Sequence, residues 1–169
     1  GQAPARQAAI GAGIATSAGA TTLNKVCGSG MKAIMLGHDL IKAGSASVVV
    51  AGGMESMTNA PHMLPGSRTG SKYGPITMVD HMAWDAPTDP YQGQAMGVFG
   101  EQCAAKYNFT REEQDAFAAE SVRRAQTAEA DGSFKAEIAA VTVSGRKGDV
   151  VVDGDETPGK CDAGKIPSL

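Results

Sequence analysis

The sequence has no long apolar run, no basic block, no CxxC pair and no signal-like opening segment. Each absence excludes something. The apolar runs fall far short of the ~20 residues that a membrane-crossing helix requires. A formal net charge of -3, without a lysine- or arginine-rich stretch, argues against nucleic acid as a partner. Three cysteines, an odd number without paired spacing, argue against a disulfide framework and a structural zinc site, so no metal is expected. With no leader visible, they point to a reducing compartment, taken here as the cytoplasm. What is present is the composition of a folded domain, with 42% hydrophobic and 20% charged residues over 169 positions. The chain opens at Gly1 and closes at Lys165-Ile166-Pro167-Ser168-Leu169 without a finishing element, so it reads as an internal piece of something longer.

The expected elements follow from periodicity and punctuation. Ala5 to about Thr16, with Ile10 and Ile14 at helical spacing, reads as a helix ending near Ser17 to Gly19. Thr21 to Val26 reads as a strand, and Met31 to Lys42 as a helix closed by Gly44. Ser47 to Ala51 is a continuous β-branched run, as in a strand covered on both faces. Strand, helix and strand make a βαβ unit in a parallel sheet. From Gly52 to Tyr91 the sequence is rich in Gly, Pro and Met and largely irregular, as in a long loop that is either functional or disordered. Gln94 to Tyr107 puts Met96, Phe99, Cys103 and Tyr107 on one helical face. Thr110-Arg111-Glu112-Glu113 is a capping-box start for a helix to about Asp131, stopped by Gly132. Glu137 to Ser144 and Asp149 to Val152, joined by Gly145-Arg146-Lys147-Gly148, read as a hairpin.

The stretch with the clearest chemistry is Asn24-Lys25-Val26-Cys27-Gly28-Ser29-Gly30-Met31-Lys32-Ala33. Strand, tight turn and helix is a geometry that holds a nucleophile above a sheet edge. Gly28 and Gly30 relieve the steric cost of the turn and let a substrate approach the backbone. A thiol at a helix N-terminus lies at the positive end of the helix dipole, which favours the reactive thiolate. Cys27 is therefore the candidate nucleophile, against the plainer reading of a small buried hydrophobe.

Other candidates are weaker. Cys103, on an apolar helix face, is expected to be packed, and Cys161 to be a bystander in a polar tail. His38 lies about 11 residues along the helix after Cys27, roughly 16 Å at ~1.5 Å per residue, too far to take its proton. His62 and His81 fall in the irregular region and are candidates to line a pocket. The methionines Met54, Met57, Met63, Met78, Met82 and Met96 suit either core filling or an adaptable apolar channel. Arg146 and Lys147 at the hairpin tip could meet a phosphate, although charged turns are common on any surface.

The Cys27 stretch, followed by Val49-Val50-Ala51-Gly52-Gly53-Met54-Glu55-Ser56-Met57, strongly resembles the thiolases. Met96-Gly97 with Glu101, Gln114-Asp115-Ala116-Phe117 and Gly145-Arg146-Lys147-Gly148-Asp149 resemble the loop domain of the same family. The resemblance implies an α/β fold: part of a layered α/β/α core over residues 1–53, and most of an inserted α+β loop domain over 54–169. It implies a homodimer or homotetramer, and acyl-CoA and acetyl-CoA as substrates, with no separate cofactor. The cysteine at Cys27 would take an acyl group as a thioester, with its backbone amide in an oxyanion site, and acetoacetyl-CoA would be made or cleaved. Met96 would line the substrate channel.

The sequence also departs from the family. The Gly-His-Pro histidine, the Cys-x-Gly-Gly-Gly cysteine and the Asn-Glu-Ala-Phe asparagine have no counterpart here, so the chain by itself is expected to be inactive. Ala95 stands where many biosynthetic members have a substrate-contacting histidine, and Pro87 where a leucine often lies against coenzyme A. Thr157-Pro158-Gly159-Lys160 replaces a longer segment that often bears an arginine. Two rivals remain: a non-catalytic thiolase-like module that binds acyl-CoA or lipid, and a ketoacyl synthase. The intact Cys27-Gly28-Ser29-Gly30 turn argues against the first. The Gly52–Met57 stretch and the loop-domain motifs argue against the second.

Overall fold

A computed structural model describes residues 1–169, which divide into two compact units, Gly1–Met96 and Gly97–Leu169. In the first unit, helix α1 (Pro4–Gly11) starts on a proline, whose fixed φ suits the first turn. It stops five residues earlier than the spacing of Ile10 and Ile14 predicts. Gly13 adopts φ +80, and the Gly13 and Ile14 amides donate back to the Ile10 and Ala9 carbonyls, 3.0 Å each. This is a glycine-terminated C-cap, and it competes successfully with the apolar periodicity beyond it. Arg6 then ties down the following loop through the Thr16 and Ala18 carbonyls.

Helix α2 (Ser29–Lys42) ends as its sequence predicts, with the Gly44 and Ser45 amides returned to Ile41 and Leu40. The two strands expected on either side of it do not form. Residues 21–24 are irregular, with only an isolated bridge between Lys25 and Cys27, and Val26 has φ +48, outside the β region. Residues 48–56 are also irregular, and Val48 and Val50 are each 83% exposed. A β-branched run becomes a strand only where a neighbouring segment offers matching N–H and C=O groups. Here none does, so the expected βαβ unit and parallel sheet are absent. What this run does find is α2. Gly37, the only buried residue of that helix, leaves room for it: a Cβ there would lie 3.1 Å from Val49 Cγ1 and 3.9 Å from Ala51 Cβ.

The long segment to Tyr91 holds only short elements: 3-10 turns at Met57–Asn59 and Ser67–Thr69, strands β1 (His62–Met63) and β2 (Val79–Asp80), and helix α3 (His81–Trp84). β1 and β2 pair antiparallel, His62 opposite Asp80 and Met63 opposite Val79. The Asp80 carboxylate caps α3 by accepting from the Met82 amide.

Helix α4 (Met96–Tyr107) leads into the second unit and closes on Asn108 at φ +56, with the Phe109 amide donating to Ala104. Helix α5 (Arg111–Ala130) opens with the predicted capping box, Thr110 and Glu113 bonding reciprocally, and closes at Gly132. Strands β3 (Val141–Gly145) and β4 (Gly148–Val152) form the expected hairpin in register, Val141 opposite Val152 and Gly145 opposite Gly148. Helix α6 (Glu156–Lys160) and a 3-10 helix, Ala163–Ser168, pack against α5. Gln126 of α5 donates to the Pro158 and Cys161 carbonyls, at 2.8 and 3.0 Å. Arg111 donates to those of Ile166 and Leu169, at 3.2 and 2.8 Å.

No hydrophobic side chain is buried. The chain exposes 14233 Å², whereas two separate compact bodies of half its 17.2 kDa mass would expose about 9,400 Å² together. The amphipathic faces of α2 and α4 are therefore formed but unfilled. This corrects the expectation for Cys103, which lies on its helix as predicted but is exposed, because the contacts of that face do not close over it.

Candidate active site

Cys27 is exposed and lies one residue before Gly28, which caps the N-terminus of α2. The turn that carries it is closed by local bonds. The Gly28 amide donates to the Lys25 carbonyl at 3.0 Å, and the Ser29 amide to that of Val26 at 3.2 Å. Two side chains complete it. Asn24 Oδ1 accepts from the Val26 amide at 2.8 Å. Ser29 Oγ accepts from the Lys25 amide at 2.9 Å and donates to the Val26 carbonyl at 2.7 Å. Between them Val26 is held left-handed, a conformation that costs a β-branched residue about 1–3 kcal/mol and persists only where its surroundings over-determine it.

The turn leaves donors free. The first helical amide to find an intrahelical acceptor is that of Lys32, which donates to Gly28 at 2.9 Å; those of Cys27, Gly30 and Met31 have no acceptor in the chain. The space above Gly30 is open, and Gly53 comes alongside it, 3.8 Å from the Gly30 Cα to the point where a Gly53 Cβ would sit. The Cys27 motif and the Gly52-Gly53 motif, more than twenty residues apart, thus meet at the first turn of α2.

The other three candidate residues are brought together at a second turn. The Met96 amide donates to the Pro87 carbonyl at 2.7 Å, and Thr88 and Ala95 form an antiparallel bridge. Asp89 organises the loop between them: its amide donates to the Gln94 carbonyl, and its own backbone and side-chain oxygens accept from Gly93 and Gln92. Pro87, Ala95 and Met96 are all exposed, Met96 by 46%. Beside them Gln94 Oε1 is buried without a donor, an acceptor left over in the loop. No hydrogen bond links this turn to that of Cys27.

The histidines are occupied elsewhere. His38 pairs with Asp39 at 3.2 Å and His81 with Asp85 at 3.0 Å, while His62 lies in β1. None hydrogen-bonds to Cys27. The geometry therefore offers an exposed thiol with adjacent unpaired amides, a combination suited to attack on a carbonyl and retention of the resulting oxyanion. Sequence reasoning found Cys27 but passed over Asn24, Ser29 and Gly37. The available signals were an Asx residue two positions before a β-branched one, and a lone glycine inside a helical run.

A profile of the thiolase N-terminal domain matches residues 1–167. The chain belongs to this family. Over 171 residues it is 52% identical to acetyl-CoA acetyltransferase 1 of Arabidopsis thaliana, covering 100% of this chain and 41% of that protein. It is 49% identical over 170 residues to an acetyl-CoA acetyltransferase of Saccharomyces cerevisiae, covering 99% of this chain and 43% of that one. A thiolase from Ascaris suum, crystallised in complex with coenzyme A, superposes with a TM-score of 0.88 at 40% identity, over 100% of this chain and 42% of its own. The fold is thus part of a thiolase N-terminal domain. The chain spans about two fifths of the length of the curated relatives it matches.

Proposed function

We propose that this chain is the nucleophile-bearing part of an acetyl-CoA C-acetyltransferase, with Cys27 as the residue that becomes acylated. The observation that carries the reading is the Cys27 turn itself: an exposed thiol beside amides with no acceptor, in a chain whose relatives are acetyl-CoA acetyltransferases. In the first half-reaction the Cys27 sulfur forms a bond to the thioester carbonyl carbon of acetyl-CoA. The carbonyl oxygen becomes an oxyanion held by the Cys27 amide. Collapse breaks the carbon–sulfur bond to coenzyme A, which leaves with the proton that the thiol gave up. In the second half-reaction another acetyl-CoA gives up an α-proton, and its carbanion bonds to the acetyl carbonyl carbon. The carbon–sulfur bond to Cys27 breaks and the thiolate takes up a proton, giving acetoacetyl-CoA and restoring the thiol. The reverse sequence cleaves a 3-oxoacyl-CoA.

Pro87, Ala95 and Met96 are proposed to line the path of the pantetheine arm and acyl chain, a role supported by their clustering at one exposed turn. The boundary between catalytic core and loop domain is proposed to follow Gly53, a reading supported by the approach of Gly53 to Gly30 at the start of α2. Proton transfer requires groups that this chain does not carry at Cys27, so the segment alone should not turn over. A cytoplasmic homodimer or homotetramer is the proposed setting, supported by three free cysteines and by the unfilled apolar faces.

The test is intact-mass spectrometry of the full-length protein after incubation with acetyl-CoA, followed by peptide mapping. An acetyl adduct on Cys27 is expected, and Cys27→Ala should abolish both adduct and turnover, a loss on the order of 10⁶-fold as for other catalytic nucleophiles. A folded protein that binds acetyl-CoA and takes no adduct would instead be a binding module.

A further inference from the structure

The turn before α2 holds a β-branched residue where a glycine would be at ease, and two side chains from outside that residue keep it there. Asn24 fixes the Val26 amide, and the Ser29 hydroxyl bridges the Lys25 amide to the Val26 carbonyl. Val26 is bonded to Cys27, so its φ and ψ set the direction in which the Cys27 amide and Cα–Cβ bond point. Were Val26 to relax to an extended conformation, the peptide joining it to Cys27 would rotate and carry the Cys27 amide with it. We infer that Asn24 and Ser29 are positioning residues: they lock the strained Val26 so that the thiol and amide of Cys27 present together to a carbonyl. This rests on Cys27 being the acylated residue. Neither side chain needs to touch substrate. Their effect passes entirely through Val26.

Strain of this kind at a nucleophile has a use only if the chemistry needs both groups aimed at once. Attack on a thioester needs both, whereas alkylation by iodoacetamide needs only an accessible thiol. That difference separates positioning from general structural support. In the full-length protein, Ser29→Ala and Asn24→Ala should each slow single-turnover acetylation of Cys27 by about 10–100-fold at saturating acetyl-CoA, the scale of a small misplacement. The half-saturating concentration and the iodoacetamide rate should stay within about twofold of the parent. Ser29→Thr, which keeps the hydroxyl, should recover most of the loss. The decisive variant adds Val26→Gly to Ser29→Ala: glycine holds φ +48 without the clamp, so the double variant should acetylate faster than Ser29→Ala alone.

The inference is overturned if Ser29→Ala acetylates at the parent rate, or if alkylation falls in step with acetylation. It is equally overturned if Val26→Gly gives no relief to Ser29→Ala. A parent protein that takes no acetyl group on Cys27 removes the catalytic reading and this inference together. The other three results leave the catalytic reading standing.

Discussion

In Gly97–Leu169 the elements end in their own caps and pack on one another; in Gly1–Met96 the longest helix and the apolar run that follows it meet at one glycine. The second unit satisfies its backbone locally. Its main helix has a reciprocal capping box, its hairpin pairs five residues with five, and Gln126 and Arg111 hold the C-terminal segment by its carbonyls. The first unit instead spends its local bonds on turns, at Cys27 and between Pro87 and Met96, and leaves Val48 and Val50 in the open. The unit that carries the proposed chemistry is the one in which the two β-branched segments flanking α2 find no strand partner within the chain.

The largest effect expected from breaking this contrast is at Gly37. In the full-length protein, Gly37→Leu would drive a side chain into Val49, 3.1 Å from where its Cβ must go, and overpacking of this kind costs about 1–3 kcal/mol. Urea denaturation should show that loss, and Val49→Ala in the same chain should return most of it. A neutral Gly37→Leu would mean that the 47–51 segment does not rest on α2. Next in size is the capping box. Thr110→Ala should cost about 1 kcal/mol of stability while leaving acetylation of Cys27 unchanged. Gln126→Ala should behave likewise, with a loss of about 1 kcal/mol for the bonds to Pro158 and Cys161. A fall in acetylation rate in either variant would break the separation between the two units.

The smallest effect is a dependence on pH. Hydrogen bonds from Arg123 and Arg124 hold the Glu120 carboxyl down to about 2, from an ordinary 4.5. Because the folded value is the lower one, the contribution is fully present above about pH 4.5 and is lost as pH falls toward 2. The pair is exposed, so the effect is small and weakens with salt. In an acid titration followed by circular dichroism, the parent and Glu120→Gln should converge as pH falls. Parallel curves would show that the arginines contribute nothing to the helix.

Residue types alone determined a good deal. Thr110 with Glu113, Gly132 after Asp131, and Gly145 to Gly148 between two β-branched runs act over three or four residues, so they are legible in the order of the letters. Cys27 between Val26 and Gly28 was legible for the same reason, as was the resemblance that follows from it. The C-cap at Gly13 was equally local, but the wider apolar spacing of Ile10 and Ile14 masked it. What only the tertiary structure decided lies in partnerships. Thr21–Val26 and Ser47–Ala51 have the composition of strands, yet a strand is a relation between two segments, and its hydrogen bonds depend on what lies beside it. The left-handed Val26 is the sharpest case. Its own side chain disfavours the conformation, and only Asn24 and Ser29, folded back across the turn, make it the one that Cys27 inherits.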